Sequence, residues 1–168
     1  REAIQQVLFA WGVCASTDGT DGIHILSLDT VPAVISQKRV YLGATAETAA
    51  IVTEVRVTAH SYTASEDGDV EINGQKYVDA KTVYTVTNPD VTASDKKNVV
   101  TVDGATLISP DIGQAAAQRV YDYYQRRITN RTNFVWKGER LGGCVTVPTP
   151  WGTTETGNLV KMELKLSN

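Results

Sequence analysis

Asn73-Gly74 stands between two short β-prone runs, Val70–Ile72 and Gln75–Val78. A two-residue type I′ turn needs positive φ at both central positions, and Asn followed by Gly accepts that conformation most readily. The dipeptide predicts a hairpin near the middle of the chain, so the fold must be organised around sheet. Composition points the same way: 21 Thr and 21 Val make up a quarter of the 168 residues. Both are β-branched, which crowds a helix and suits a pleated surface.

Further strands follow from alternation. Ile51, Val55, Val57 and Ala59 alternate with Glu54, Arg56, Thr58 and His60, the pattern of a half-buried strand. Residues 81–87 (KTVYTVT) continue in β character to Asn88-Pro89-Asp90, and Asn98–Val102 predicts a short strand ending at Asp103-Gly104. Earlier in the chain, Ile23 to Leu28 reads as one short strand, and Val34-Ile35 with Val40–Leu42 as another. Near the end, Thr132, Phe134 and Trp136 alternate, Val145 and Val147 predict a strand stopping at Pro148, and Val160, Met162, Leu164 and Leu166 predict the last.

Two helices interrupt this pattern. Ile4, Val7, Leu8 and Trp11 recur at helical spacing, predicting a helix over about 2–14. Ser109-Pro110-Asp111 is a start signal: a capping serine, a proline at the first helical position and an acid near the positive end of the helix dipole. The body to about residue 128 carries Ile112, Ala116, Val120 and Tyr123-Tyr124 on one face. Three alanines, 115–117, allow close approach to a sheet, and Arg126 and Arg127 fall at the C-terminal end. The expected fold class is α+β: a mainly antiparallel sheet or partial barrel with the helix about 110–128 packed on it, plus the N-terminal helix about 2–14. The expected division is 1–47, a helix–strand segment that could end a preceding domain, and 48–168, a β-rich domain with its packed helix.

Several classes are excluded by arithmetic. Charged residues at 21% with 42% hydrophobic residues oppose disorder. No apolar run approaches the roughly 18 residues of a membrane-spanning helix, so no membrane anchor is expected. Sixteen basic against 19 acidic residues offer no electrostatic basis for sequence-specific nucleic-acid binding. Residue 1 is Arg, the only methionine is Met162, and the chain opens inside a periodic segment. This suggests a piece of a longer polypeptide, with proteolytic processing as the rival account.

The search for chemistry yields little. Cys14, Cys144, His24 and His60 never adopt a metal-ligand spacing. The two cysteines read as small buried or half-buried side chains, with a disulfide as the alternative. No G-x-S-x-G motif, P-loop or dinucleotide fingerprint is present. His60 within a strand reads as a solvent-side or interface residue before a catalytic base. Glu66, Asp67, Asp69 and Glu71 could attract calcium, but lack the alternating ligand pattern and read as a solvated loop, as does the run Asp18–Gly22. Asn130-Arg131-Thr132 matches a glycosylation triplet, and Arg126, Arg127 and Arg131 form a small basic patch explained by helix-end capping. Among Trp11, Trp136 and Trp151, Trp151 in its Pro-Trp-Gly turn is the best candidate for stacking on a sugar, though core or interface packing is the favoured role. No catalytic, cofactor-binding or metal-binding residue is therefore assigned, and no cofactor is expected.

Residues 98–111 (NVVTVDGATLISPD), the helix segment 115–124 (AAAQRVYDYY), 142–152 (GGCVTVPTPWG) and 51–62 (IVTEVRVTAHSY) carry a pattern of strand, helix and turn punctuation. Together they resemble the baseplate-hub or tail-tip structural proteins of bacteriophages and prophages over most of residues 40–168. The chain departs at Gly143-Cys144, where many such proteins carry Asp after the glycine. The resemblance implies a non-enzymatic virion component between tail tube and tip, made in the bacterial cytoplasm. It also implies self-association into a ring, trimeric or hexameric, and contact with other tail proteins. The alternative is an extracellular carbohydrate-binding or adhesin-type β-domain, and the third reading is a tail-associated peptidase.

Overall fold

The computed structural model describes residues 2–17, 22–27, 31–92 and 95–163. Among the described residues it is an α+β protein dominated by strand, with two α-helices. The chain packs as two units, one of Arg1–Trp11 and Ala50–Arg127, the other of Gly12–Ala49 and Ile128–Asn168. The sequence-based division was a single cut at 47/48, whereas each packed unit is built from two segments of chain.

The first unit begins with α1 (Glu2–Trp11), which ends at Gly12 in the left-handed region (φ 69), the glycine that closes the helical spacing in the sequence, so residues 13–14 are not helical. Its sheet has four strands in the order β6 (Val70–Ile72), β7 (Gln75–Thr87), β5 (Glu54–Ala64) and β8 (Val99–Val102). The first three are antiparallel neighbours, while β8 runs parallel to β5. Asn73 (φ 52) and Gly74 (φ 80) close the β6–β7 hairpin with the positive φ values expected of that pair. The two β-prone stretches on either side of residue 80 merge into one 13-residue strand, β7.

α2 (Pro110–Gln125) lies against β5 and β7. Val55, Val57 and Ala59 of β5, with Ala105, Ile108, Ala116 and Ala117, form the buried core, and Phe9, Tyr84, Val86, Val100 and Val120 pack around it. The small residues on α2 set how near the helix comes. Gly113 is buried so tightly that a Cβ there would stand 2.4 Å from the Tyr84 ring. The Tyr84 hydroxyl then donates to the Pro110 carbonyl at 2.7 Å, tying β7 to the helix start. α2 ends at Gln125 rather than near 128, and Ser109 occupies the N-cap with extended backbone but no side-chain capping bond.

The second unit contains the hairpin of β1 (Val13–Thr17) and β2 (Ile23–Ser27), and the pair β4 (Thr45–Thr48) and β9 (Ile128–Arg131). A third sheet places β10 (Cys144–Pro148) between β3 (Ala33–Val34) and β11 (Thr154–Asn158). Ile35, Val145 and Val147 form its buried centre, with Val40, Phe134 and Leu159 packed against them. Two expectations change here. Residues 132–136 do not form a strand: only Phe134 makes an isolated bridge, to Val40. The final strand is not formed over 160–163, and the remainder of that expected strand, like Leu28 and Asp18–Asp21, lies outside the described residues.

The irregular segment after Phe134 is held by polar contacts. The Arg39 guanidinium donates to the Val135 carbonyl through Nε (3.1 Å) and Nη2 (2.7 Å), pairs with the Glu139 carboxylate, and sits 5.9 Å from the centre of the Phe134 ring. Glu139 also accepts the Lys137 backbone N–H at 2.8 Å. Burial pushes the Glu139 carboxyl up, but the Lys137 N–H and the Arg39 cation outweigh it and hold the group below its ordinary value.

Candidate functional site

The most concentrated polar cluster lies on the face of β5 and β7 opposite the α2 core. The β5–β7 register places His60 across from Lys81 and Tyr62 across from Asp79. His60 and Asp79 are thus diagonal neighbours on one face, close enough for side chains to meet. His60 Nδ1 lies 2.8 Å from Asp79 Oδ2, with the two side chains only 4% and 10% exposed. Lys81 brings Nζ to 3.9 Å from the same oxygen, but its side chain is 62% exposed, so its contribution is heavily screened. Tyr62 stacks on the imidazole with ring centres 6.1 Å apart and planes 12° from parallel. Burial, and then the negative charge of Asp79, push its phenol pKa up.

An imidazole held by a carboxylate is two-thirds of a nucleophile–base–orienter set. The third part needs His60 Nε2 to reach a reacting proton at hydrogen-bond distance, about 2.6–3.2 Å. Nε2 is buried and meets no protein partner, as does Asp79 Oδ1. The arrangement can therefore clamp β7 to β5 and fix the ring, but it presents no base to a substrate in this conformation. His60 was expected on the solvent side or at an interface; it is 6% exposed, because its carboxylate partner lets the strand bury it.

The other sequence candidates remain apart. Glu66, Asp67, Asp69 and Glu71 are all exposed around the Ser65–Asp69 turn, and no three acidic, His or Cys side chains converge on a metal-sized site among the described residues. Asn130 lies within β9; Arg131 is 72% exposed, with only a 3.7 Å approach to Glu47. Arg126 and Arg127 follow the last turn of α2 and both have partners. Trp11, Trp136 and Trp151 are 71%, 50% and 57% exposed, which excludes core packing for all three. Cys14 and Cys144 are free thiols, half-buried and buried respectively. An open groove runs between Glu2, Gln5, Gln6 and Phe9 of α1 and Thr101 to Ala105, and holds no nucleophile–base pair.

Sequence reasoning missed Asp79, Tyr62 and Lys81 as partners of His60. Their alternation was visible, but the register that aligns them is set by β5–β7 pairing and not by the Asn73-Gly74 turn, which aligns β6 with β7. Compared with models of protein families, with curated proteins and with solved structures, the chain matches none.

Proposed function

We propose that the chain is a non-enzymatic structural component of a phage or prophage tail, at the baseplate hub or tail tip, where it assembles with copies of itself and other tail proteins. The sequence resemblance over residues 40–168 supports the reading, and one structural observation carries it. β7 has 13 residues, and on its outer side β6 covers only Gln75–Tyr77. Among the described residues, no strand pairs with the outer edge of residues 78–87. Along this length Ala80, Lys81, Thr82, Val83 and Thr85 are exposed. A long edge with no proline and no bulge is a pairing hazard in a monomer and a joint in an assembly. The sealed His60 Nε2 is consistent with a protein whose polar cluster serves structure.

The test is immunogold labelling of tail particles released from the producing bacterium, with mass spectrometry of the same particles. Label at one end of the tail, and peptides of this chain in purified particles, are expected. Val83→Lys with Thr85→Lys places two cations on the exposed edge and should keep the monomer folded while excluding it from particles. Particles that lack both label and peptides would overturn the proposal.

The exposed tryptophans favour a second reading, a carbohydrate-binding or adhesin-type domain. It predicts that Trp151→Ala abolishes binding on a glycan array, and an array without signal for the wild-type chain would discard it.

A further inference from the structure

Cys14 and Cys144 are 130 positions apart in sequence, yet both belong to the second unit. Cys14 lies in β1 across from Leu26. Its sulfur occupies the space where a side chain at position 142 would begin: a Cβ on Gly142 would stand 2.6 Å from Cys14 Sγ. Cys144 is two residues further along. Val145 and Val147 point into the core with Ile35, so alternation puts Cys144 on the other face of β10, where it is nevertheless only 8% exposed. The Cα atoms of Gly142 and Cys144 are at most about 7 Å apart, and the Cys14 sulfur lies within about 4 Å of the Gly142 Cα, so it rests within about 11 Å of the Cys144 Cα. Gly142 (φ 81) and Gly143 between them leave the connecting backbone free to adjust.

We propose that Cys14 and Cys144 are a latent disulfide, open in a reducing compartment and closed by a small disulfide such as oxidised glutathione. The half-buried Cys14 is the more accessible thiol and attacks first. Its thiolate displaces one glutathione thiolate and forms a mixed disulfide. The Cys144 thiolate then attacks the Cys14 sulfur, the second glutathione leaves, and the protein cystine remains. Two protein thiols are oxidised and one glutathione disulfide is reduced to two thiols. The bond would tie the β1–β2 hairpin to β10, joining the N-terminal and C-terminal segments of the unit. This inference does not depend on the tail reading.

The full chain is reduced, equilibrated in glutathione buffers of increasing oxidised fraction, quenched in acid, alkylated and digested. The expected product is a joined peptide pair containing Cys14 and Cys144, lighter by two hydrogens and free of glutathione. Half-oxidation should occur in a buffer at least about tenfold more reducing for the folded chain than for the chain unfolded in urea. Cys14→Ser and Cys144→Ser should each lose the joined peptide, and only the oxidised wild type should shift to a higher urea midpoint. Separate glutathione adducts on the two cysteines without a joined peptide would overturn the proposal. So would equal ease of closure in the folded and unfolded chain, a comparison that does not depend on any variant folding.

Discussion

Gly113→Ala sets two well-measured effects against each other. Inside a helix, alanine is favoured over glycine by about 1 kcal/mol, because glycine loses more backbone freedom. Gly113 sits in the body of α2, so propensity alone predicts a more stable protein. The packing predicts the reverse. A Cβ at this position would stand 2.4 Å from both Cδ2 and Cε2 of Tyr84 and 3.1 Å from Cγ. The ring is held at its far end by the 2.7 Å bond to the Pro110 carbonyl, so it cannot swing aside without breaking that bond. Overpacking costs about 1–3 kcal/mol, and losing the hydrogen bond about 1 kcal/mol more. Steric cost wins, and a net loss of about 2 kcal/mol is expected. For a chain of this length that lowers the melting temperature by about 4–8 °C. The decisive measurement adds Tyr84→Ala. With the ring gone, Gly113→Ala should stabilise by about 1 kcal/mol relative to Tyr84→Ala alone, a coupling of about 3 kcal/mol across the cycle. A Gly113→Ala protein as stable as the wild type, or the same shift in both backgrounds, would refute the claim that Tyr84 sets the helix–sheet distance.

Gly142→Ala should cost about 2–3 kcal/mol in urea unfolding, since the new Cβ meets Cys14 Sγ at 2.6 Å and the backbone sits at φ 81; Cys14→Ala should recover the steric part and leave about 1 kcal/mol of backbone strain. Asp79→Ala strands the buried His60 Nδ1 and should destabilise by about 1–3 kcal/mol, whereas His60→Leu combined with Asp79→Leu should cost less than Asp79→Ala alone. Glu139 has a folded pKa held below its unfolded value, so its contribution is present above the unfolded carboxylate range, about pH 4.3, and is lost as pH falls through the folded pKa. Glu139→Gln should therefore lower stability at neutral pH and flatten its fall in acid, measured by thermal melts across pH; an unchanged acid limb would refute the assignment.

Local signals in the sequence were sufficient where the structure is local. Asn73-Gly74 marks the β6–β7 turn because its backbone demand belongs to two residues, and Ser109-Pro110-Asp111 marks the start of α2 for the same reason. Alternation from Val55 to His60 located β5, whose odd-numbered side chains here face the core. The C-terminal third was less legible. Residues 132–136 alternate as well as any strand and begin a ladder at the Val40–Phe134 bridge, where the Val135 N–H bonds to the Arg39 carbonyl and the Tyr41 N–H to the Asn133 carbonyl. It stops there because the Arg39 N–H bonds to the Ser36 carbonyl and the Val135 carbonyl accepts the Arg39 guanidinium. The next pair of backbone groups that a longer ladder needs is thus spent on a local turn and on a side chain almost a hundred positions away, and side-chain periodicity carries no record of that competition.

The polar cluster shows why a site is harder to read than a strand. His60 and Asp79 each sit in a segment whose β character is plain, but their meeting depends on the register between those strands. For β5 and β7 the paired residue numbers sum to 141, as in His60 with Lys81, while for β6 and β7 they sum to 147, as in Ile72 with Gln75. The turn residues determine only the second alignment. The first comes from burying Val55, Val57 and Ala59 beneath α2, with Tyr84 and Val86 packed beside them. A one-residue slip would turn those side chains out to solvent, and would also separate His60 from its carboxylate. The apolar face thus selects the register, and the His60–Asp79 bond on the opposite face reports it. Replacing Ala59 with a larger side chain should therefore loosen the polar pair as well as the core, although Ala59 itself lies on the other face of the sheet.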